Sequence, residues 1–296
     1  MQALILDYKY KKGIEEATNR RQWGQIMSES LSLSALVDLE RYPLGDDAGF
    51  APVAERCKAQ LKESSFASLP GFLRTGVAEA MSGEVLDAMP RAYRREQSFS
   101  AYDESTLEQY PPDHVRRRKH ESRQFVVATD VLDKTGRLRT LYRDETLTKR
   151  IAQMLSEPAL FPLADPVMGC TSTVMYEGDT HGWHFDLNDF VVSILLQAPE
   201  AGGTFDFAPN IRKDGEENYA AVAAALDGRS EAVRSIKVEA GTLLLFCGRR
   251  ALHRVPPVRG NAPRVIALFS YDRKPGVRYG SAVYARVVGR NAAFEQ

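Results

Sequence analysis

The stretch HGWHFDLNDF (residues 181–190) sets two of the chain's five histidines and two acids among bulky apolar groups. On an extended strand alternate residues share a face, so His184 and Asp186 project together while Phe185 points the other way. An imidazole nitrogen and a carboxylate oxygen on one face can meet one metal ion. His253, in ALHRVPPV directly after an apolar run at 242–246, offers a third ligand if a β-sandwich brings the two strands together. Two histidines and one carboxylate on one face of a metal, with three positions open, are the ligand set of non-haem Fe(II) oxygenases. A His-X-Asp triplet is short and a lone histidine beside a sheet more often serves structure, so its surroundings decide the reading.

Those surroundings have β character. From Met168 onward, short apolar or β-branched runs at 170–176, 190–197, 203–207, 235–238, 242–247 and 265–271 are bounded by Gly, Pro, Asn or Asp. Such a succession predicts a sandwich or barrel. Residues 216–226 read as an Ala-rich helical insertion at the surface, and Asp206 as a polar outer-face residue. Upstream, apolar residues recur at helical spacing over 14–73, as in Trp23, Ile26, Met27 and Leu31 and then Val53, Cys57 and Leu61. Further helices are predicted at 75–89, stopped by Pro90, and at 144–155, cut off by Pro158. Between them 98–114 reads as a polar loop and 124–131 as a strand. The helical N-terminal third has apolar faces suited to covering a barrel or joining two chains.

At 296 residues and 44% hydrophobic, the chain can bury a sizeable core. Thirty-nine basic residues balance thirty-nine acidic ones, which excludes an electrostatic footprint for nucleic acid or an anionic membrane. The run Arg116-Arg117-Arg118-Lys119 reads as a solvated face. Cys57, Cys170 and Cys247 lie far apart, which argues against a disulfide framework or a cysteine-zinc site and predicts a cytoplasmic setting. The opening MQALILDYKYKKG has an apolar run too short for a signal-peptide core, and no stretch approaches a membrane span.

Arg264 follows His253 by eleven positions and opens the run RVIALFSY, so it enters the next strand with its guanidinium free for bidentate pairing to a carboxylate. An enzyme that chelates 2-oxoglutarate to iron must also hold the distal carboxylate, which is costly to bury unpaired. Here the chain resembles the Fe(II)/2-oxoglutarate-dependent oxygenases, whose pattern HxD…H…R is met by His184, Asp186, His253 and Arg264. The segments YEGDTHGWHFD, APEAGGTFDF and GTLLLFCGRRALHRV are similar to those of the prolyl-hydroxylase-like branch, and the resemblance spans roughly residues 66–271. It implies an α+β fold, a double-stranded β-helix (jelly-roll, cupin-like) core behind an N-terminal helical layer. The layout is then one oxygenase domain over 1–296, with helical support at 1–115, the core at 116–280 and a tail at 281–296. It further implies Fe(II) on the triad, 2-oxoglutarate on Arg264, Tyr176 facing that cosubstrate, and O2 as oxidant.

SEPALFPLADPV followed by GDTHGWHFD resembles the carrier-independent halogenases and hydroxylases of free amino acids. Halogenases of that branch carry Gly where this chain has Asp186, which leaves a position for chloride, so oxygen insertion or another outcome of C–H abstraction is expected here. The same resemblance gives His181 a substrate contact and Arg123 the substrate's carboxylate. Lysine-acting relatives place an acid near where this chain has Val167 and Met168, and halogenase relatives a polar or acidic residue where it has Leu187. An uncompensated buried ammonium is costly. The implied substrate is therefore a small amino acid or modified amino acid with a neutral or nitro-like end, hydroxylated, desaturated or closed to a ring such as cyclopropane in natural-product biosynthesis. Two other classes fit the ligands alone: a zinc hydrolase, against which Arg264 argues, and a non-catalytic jelly-roll binding module.

Overall fold

The computed structural model describes residues 31–102 and 104–294, and the described residues from 33 onward form one compact unit. The helical spacing at Trp23, Ile26 and Met27 falls outside the described residues.

Strands are β1 (Phe66–Leu69), β2 (Tyr93–Ser100), β3 (Lys119–Val127), β4 (Phe161–Pro162), β5 (Cys170–Met175), β6 (Thr180–His184), β7 (Val191–Gln197) and β8 (Ala201–Gly202). They continue as β9 (Phe205–Ala208), β10 (Arg234–Ile236), β11 (Leu243–Phe246), β12 (Leu252–Val255), β13 (Val258–Arg259), β14 (Arg264–Phe269) and β15 (Tyr271–Asp272). Eleven of them form one sheet in the order β1-β11-β7-β14-β5-β3-β6-β12-β9-β10, with β2 also on β3. The strand β3 joins its two halves: Phe125, Val126 and Val127 pair with β5, whereas Ser122 and Arg123 pair with β6. The halves curl into a jelly roll around a cluster that includes Phe66, Leu195, Phe207, Leu244, Phe246 and Ile266.

Helices cover this core because each has one apolar face. In α1 (Leu33–Leu36) only Leu36 is buried. Asp46 caps α2 (Asp47–Ser64) by accepting the Ala48 N–H at 3.0 Å, and Phe50, Val53, Cys57 and Leu61 form its buried face. The helix α3 (Val77–Asp87) ends beside Pro90 as expected and lies against β7. After the short α4 (Arg137–Tyr142), Asp144 caps α5 (Glu145–Met154) through the Leu147 N–H at 2.8 Å.

Several expectations need correction. The stretch 98–114 is not all loop, since β2 pairs residue for residue with β3 from Tyr93↔Val126 to Ser100↔Lys119. Its sequence, YRREQSFS, hides this because an edge strand with a wet outer face carries charge where a buried strand carries apolar residues. The Ala-rich insertion is α6 (Tyr219–Leu226), and it is not merely superficial: Val222 and Ala225 are buried against a cluster containing Trp183 and Phe185. Asp206 is 6% exposed and accepts hydrogen bonds from Thr204, Ser235 and Arg254. The basic run is partly structural, with Arg116 4.6 Å above the Tyr102 ring and Arg118 paired to Asp227 at 2.6 Å. The last helix, α7 (Ser281–Val288), packs on β2 and β3.

Candidate metal centre

Antiparallel pairing of β6 with β12 sets His184 directly opposite His253, and their rings lie 4.0 Å apart. In each ring Nδ1 faces the carbonyl two residues back, Gly182 O at 2.8 Å for His184 and Ala251 O at 3.0 Å for His253. A carbonyl only accepts, so Nδ1 carries the proton and Nε2 presents its lone pair. Both Nε2 atoms point at Asp186, at 3.7 Å from Oδ1 for His184 and 3.6 Å from Oδ2 for His253. One ligand atom from each residue falls within 4.8 Å of the others.

The donor set fits a divalent cation. Asp186 Oδ2 is buried and has no hydrogen-bond partner among the described residues, a state that costs free energy unless something positive completes it. Burial pushes His184 down to about 3, helped by His253 and opposed by Asp186, and pushes His253 down to about 4. Neutral imidazole is the ligating form. Burial alone raises the Asp186 carboxyl, the reverse of what a bound cation does.

Arg264 is 4% exposed. Its Nε donates to Gly203 O at 3.1 Å, and among the described residues no acid pairs with it. Gly203 has φ +56°, and a Cβ there would lie 3.2 Å from Arg264 Cδ, so glycine suits both the turn and the guanidinium. Burial pulls the Arg264 pKa down to about 10, which leaves it charged at neutral pH. Arg264 and the triad line one cavity of ≈ 230 Å³. A wider groove of ≈ 800 Å³ beside α5, lined by residues such as Asp47, Arg143 and Lys149, holds no histidine.

His181 lines the cavity too, its ring stacked on His184 at 4.0 Å. Tyr176 and Arg123 do not. Thr171, Thr173 and Met175 face the cavity from β5, so the next residue turns outward: Tyr176 is 38% exposed and meets Phe125 edge-on at 5.8 Å. On β3, Gln124 faces in, while the exposed Arg123 donates to Gly178 O at 3.1 Å. The inward cation on this side is Arg95, which sequence reading missed because β2 was not recognised as a strand. It pairs in register with Gln124, lines the cavity, and its buried Nε has no partner. Val167 is fully buried in an apolar cluster, and Leu187 is 66% exposed at the rim of a second pocket on the far side of Asp186.

A jelly roll with this triad and a buried arginine across the cavity is the architecture of the Fe(II)/2-oxoglutarate-dependent oxygenases, which are oxidoreductases. The fold is shared with AviO1 from Streptomyces viridochromogenes, at 16% identity over 75% of this chain and 95% of that chain, TM-score 0.50. It is shared equally with the non-heme alpha ketoglutarate dependent epimerase SnoN from nogalamycin biosynthesis, at 14% identity over 75% and 83%, TM-score 0.50. The profile of the family described as Halogenase D matches residues 51–281, and the chain belongs to that family. No curated protein matches it in sequence.

Proposed function

We propose that this chain oxidises an unactivated C–H bond of a small free amino acid or modified amino acid, by hydroxylation or by desaturation or ring closure, and that it does not halogenate. The observation that carries this reading is the Asp186 carboxylate within reach of both imidazoles, its Oδ2 unpartnered. With three protein ligands an octahedral metal keeps three positions, equal to the two donor oxygens of a keto acid and one for dioxygen, and none for a halide. When bound, Fe(II) and 2-oxoglutarate would reduce dioxygen, one oxygen atom ending in succinate as CO2 leaves and the other serving as the oxidant that breaks the C–H bond.

The chain's own residues bind and orient. His184, Asp186 and His253 hold the metal, and Arg264 receives the distal carboxylate of 2-oxoglutarate. Arg95 is a second guanidinium in the same cavity, with no acid paired to it among the described residues, so it takes a second anion, the substrate's carboxylate, in the role that sequence reading gave to Arg123. His181, stacked on His184, borders the reacting carbon. Val126, Met175 and Val287 offer that carbon an apolar wall, which suits a substrate with a neutral end. Phe205 and Phe246 flank His253 and help to exclude water.

The protein loaded anaerobically with Fe(II) is to be screened against free and modified amino acids for substrate-stimulated succinate release, with products read by mass. Gain of one oxygen atom is hydroxylation, and loss of two hydrogens is desaturation or ring closure. Replacement of hydrogen by chlorine in chloride buffer would overturn the reading. Arg95→Leu is expected to raise the substrate KM about tenfold or more while leaving 2-oxoglutarate affinity within about twofold; equal losses for both ligands would sink the assignment of Arg95.

A further inference from the structure

We infer that Gly248 is a positioning residue for the metal centre, and that it acts by having no side chain. This rests on the reading of Asp186 as a metal ligand. Gly248 follows β11 and is buried. Its φ is not positive, so the backbone does not require glycine there. The need is spatial. A Cβ on Gly248 would overlap Asp186 Oδ2 and stand 2.6 Å from Cγ and 3.0 Å from Cβ of the same side chain, and these three atoms are its nearest neighbours.

Hydrogen bonds hold the backbone on both sides of Gly248. Asp186 donates its N–H to Gly248 O at 3.1 Å, Cys247 donates its N–H to Ser65 O at 2.8 Å, and Arg250 donates its N–H to Cys247 O at 3.2 Å. From the other side Arg212 holds the same turn, its Nε on Arg249 O at 2.7 Å and its N–H on Arg250 O at 3.3 Å. The carboxylate is the softer partner, because no hydrogen bond restrains Oδ2 and one side-chain rotation moves it. A methyl group at 248 therefore turns the Asp186 carboxylate away from both Nε2 atoms and leaves a two-histidine site. The empty space at Gly248 and the filled one at Asp186 form a single feature: the third ligand is held in place by the imidazoles in front and by bare backbone behind.

The test is a double-mutant cycle on the full chain, read as Co(II) affinity by calorimetry together with the visible absorption of the bound Co(II). Gly248→Ala is expected to weaken Co(II) by about tenfold or more and to shift its spectrum toward that of Asp186→Gly, as lost orientation of a ligand does. In the Asp186→Gly background, Gly248→Ala is expected to cost less than about twofold, because the methyl then occupies the volume the carboxylate left. Wild-type-like affinity and spectrum in Gly248→Ala, or losses that multiply in the double variant, would overturn the inference. Thermal unfolding of the metal-free forms separates misfolding from ligand displacement: a double variant that unfolds as readily as Gly248→Ala alone means that the methyl disturbs the backbone, and it also overturns the inference. Absence of Co(II) binding by the wild type would instead remove the metal site itself, and with it the function proposed above.

Discussion

Arg264 shows how a single residue states its own requirement. Among the described residues, a guanidinium buried with one carbonyl for company is a charge waiting for a counter-charge, because the cavity supplies Thr171, Thr173 and Ser193 but no acid beyond Asp186. Arg264→Gln is expected to weaken 2-oxoglutarate by about 2–5 kcal/mol, the usual cost of removing one partner of a buried charge pair. Metal affinity should be unchanged. A 2-oxoglutarate titration of the metal-loaded protein checks this, and unaltered affinity would refute the pairing. At this scale the sequence was legible wherever a motif tied spacing to chemistry. His184, Asp186, His253, Arg264 and His181 all reach one cavity, whereas Tyr176, just past the end of β5, and Arg123, on β3, each fall one position out of phase with it, a parity the sequence alone leaves ambiguous.

At the scale of elements, the turn between β5 and β6 decides where the histidine strand begins. Asp179 is 4% exposed, receives both Arg94 Nη atoms at 2.8 and 2.7 Å, and accepts the Tyr176 N–H at 2.9 Å. Its carbonyl accepts the Val258 N–H at 2.9 Å, which ties the turn to β13. Asp179→Ala removes a charge-assisted anchor and is expected to destabilise the fold by roughly 1.5–3 kcal/mol in urea unfolding; a change below about 0.5 kcal/mol would mean that the turn is held by its backbone alone. Arg94, the partner, sits on β2, so the strand hardest to read supports the strand easiest to read. The helices α2 and α5 were visible because their apolar residues recur at helical spacing, whereas their caps, Asp46 and Asp144, show themselves in the structure.

For the whole molecule, the buried histidines make stability depend on pH. The folded pKa values, about 3 for His184 and about 4 for His253, lie below the ordinary 6.5. Between pH 6.5 and 4 the unfolded chain thus binds more protons than the folded one, so metal-free stability falls as pH drops through that window. His181, held well below 6.5 chiefly by its burial, acts in the same direction. The raised Asp186 carboxyl has the opposite sign, since folded protein then holds the extra proton as pH rises past the ordinary carboxylate value, and it offsets part of the loss at the acid end. Midpoints of thermal unfolding are expected to decline from pH 7 to pH 5 without metal, because only the unfolded chain's histidines take up protons in that range. A flat metal-free profile would contradict the burial of these rings. Among the described residues no helix is long and apolar enough to cross a membrane.

The chain's own letters determined the ligand chemistry, the β-rich core and most of the helices, because metal ligands need particular side chains and because short apolar runs and helical periodicity are local properties of the chain. Only the tertiary structure decided which side of each strand faces the cavity. Parity depends on partners distant in sequence, so pairing with β3 was needed to turn Arg95 inward. Tertiary structure also decided what stands behind the triad. Gly248, 62 positions after Asp186 in the sequence, reveals its part only when the two backbones meet and no room is left for a methyl group.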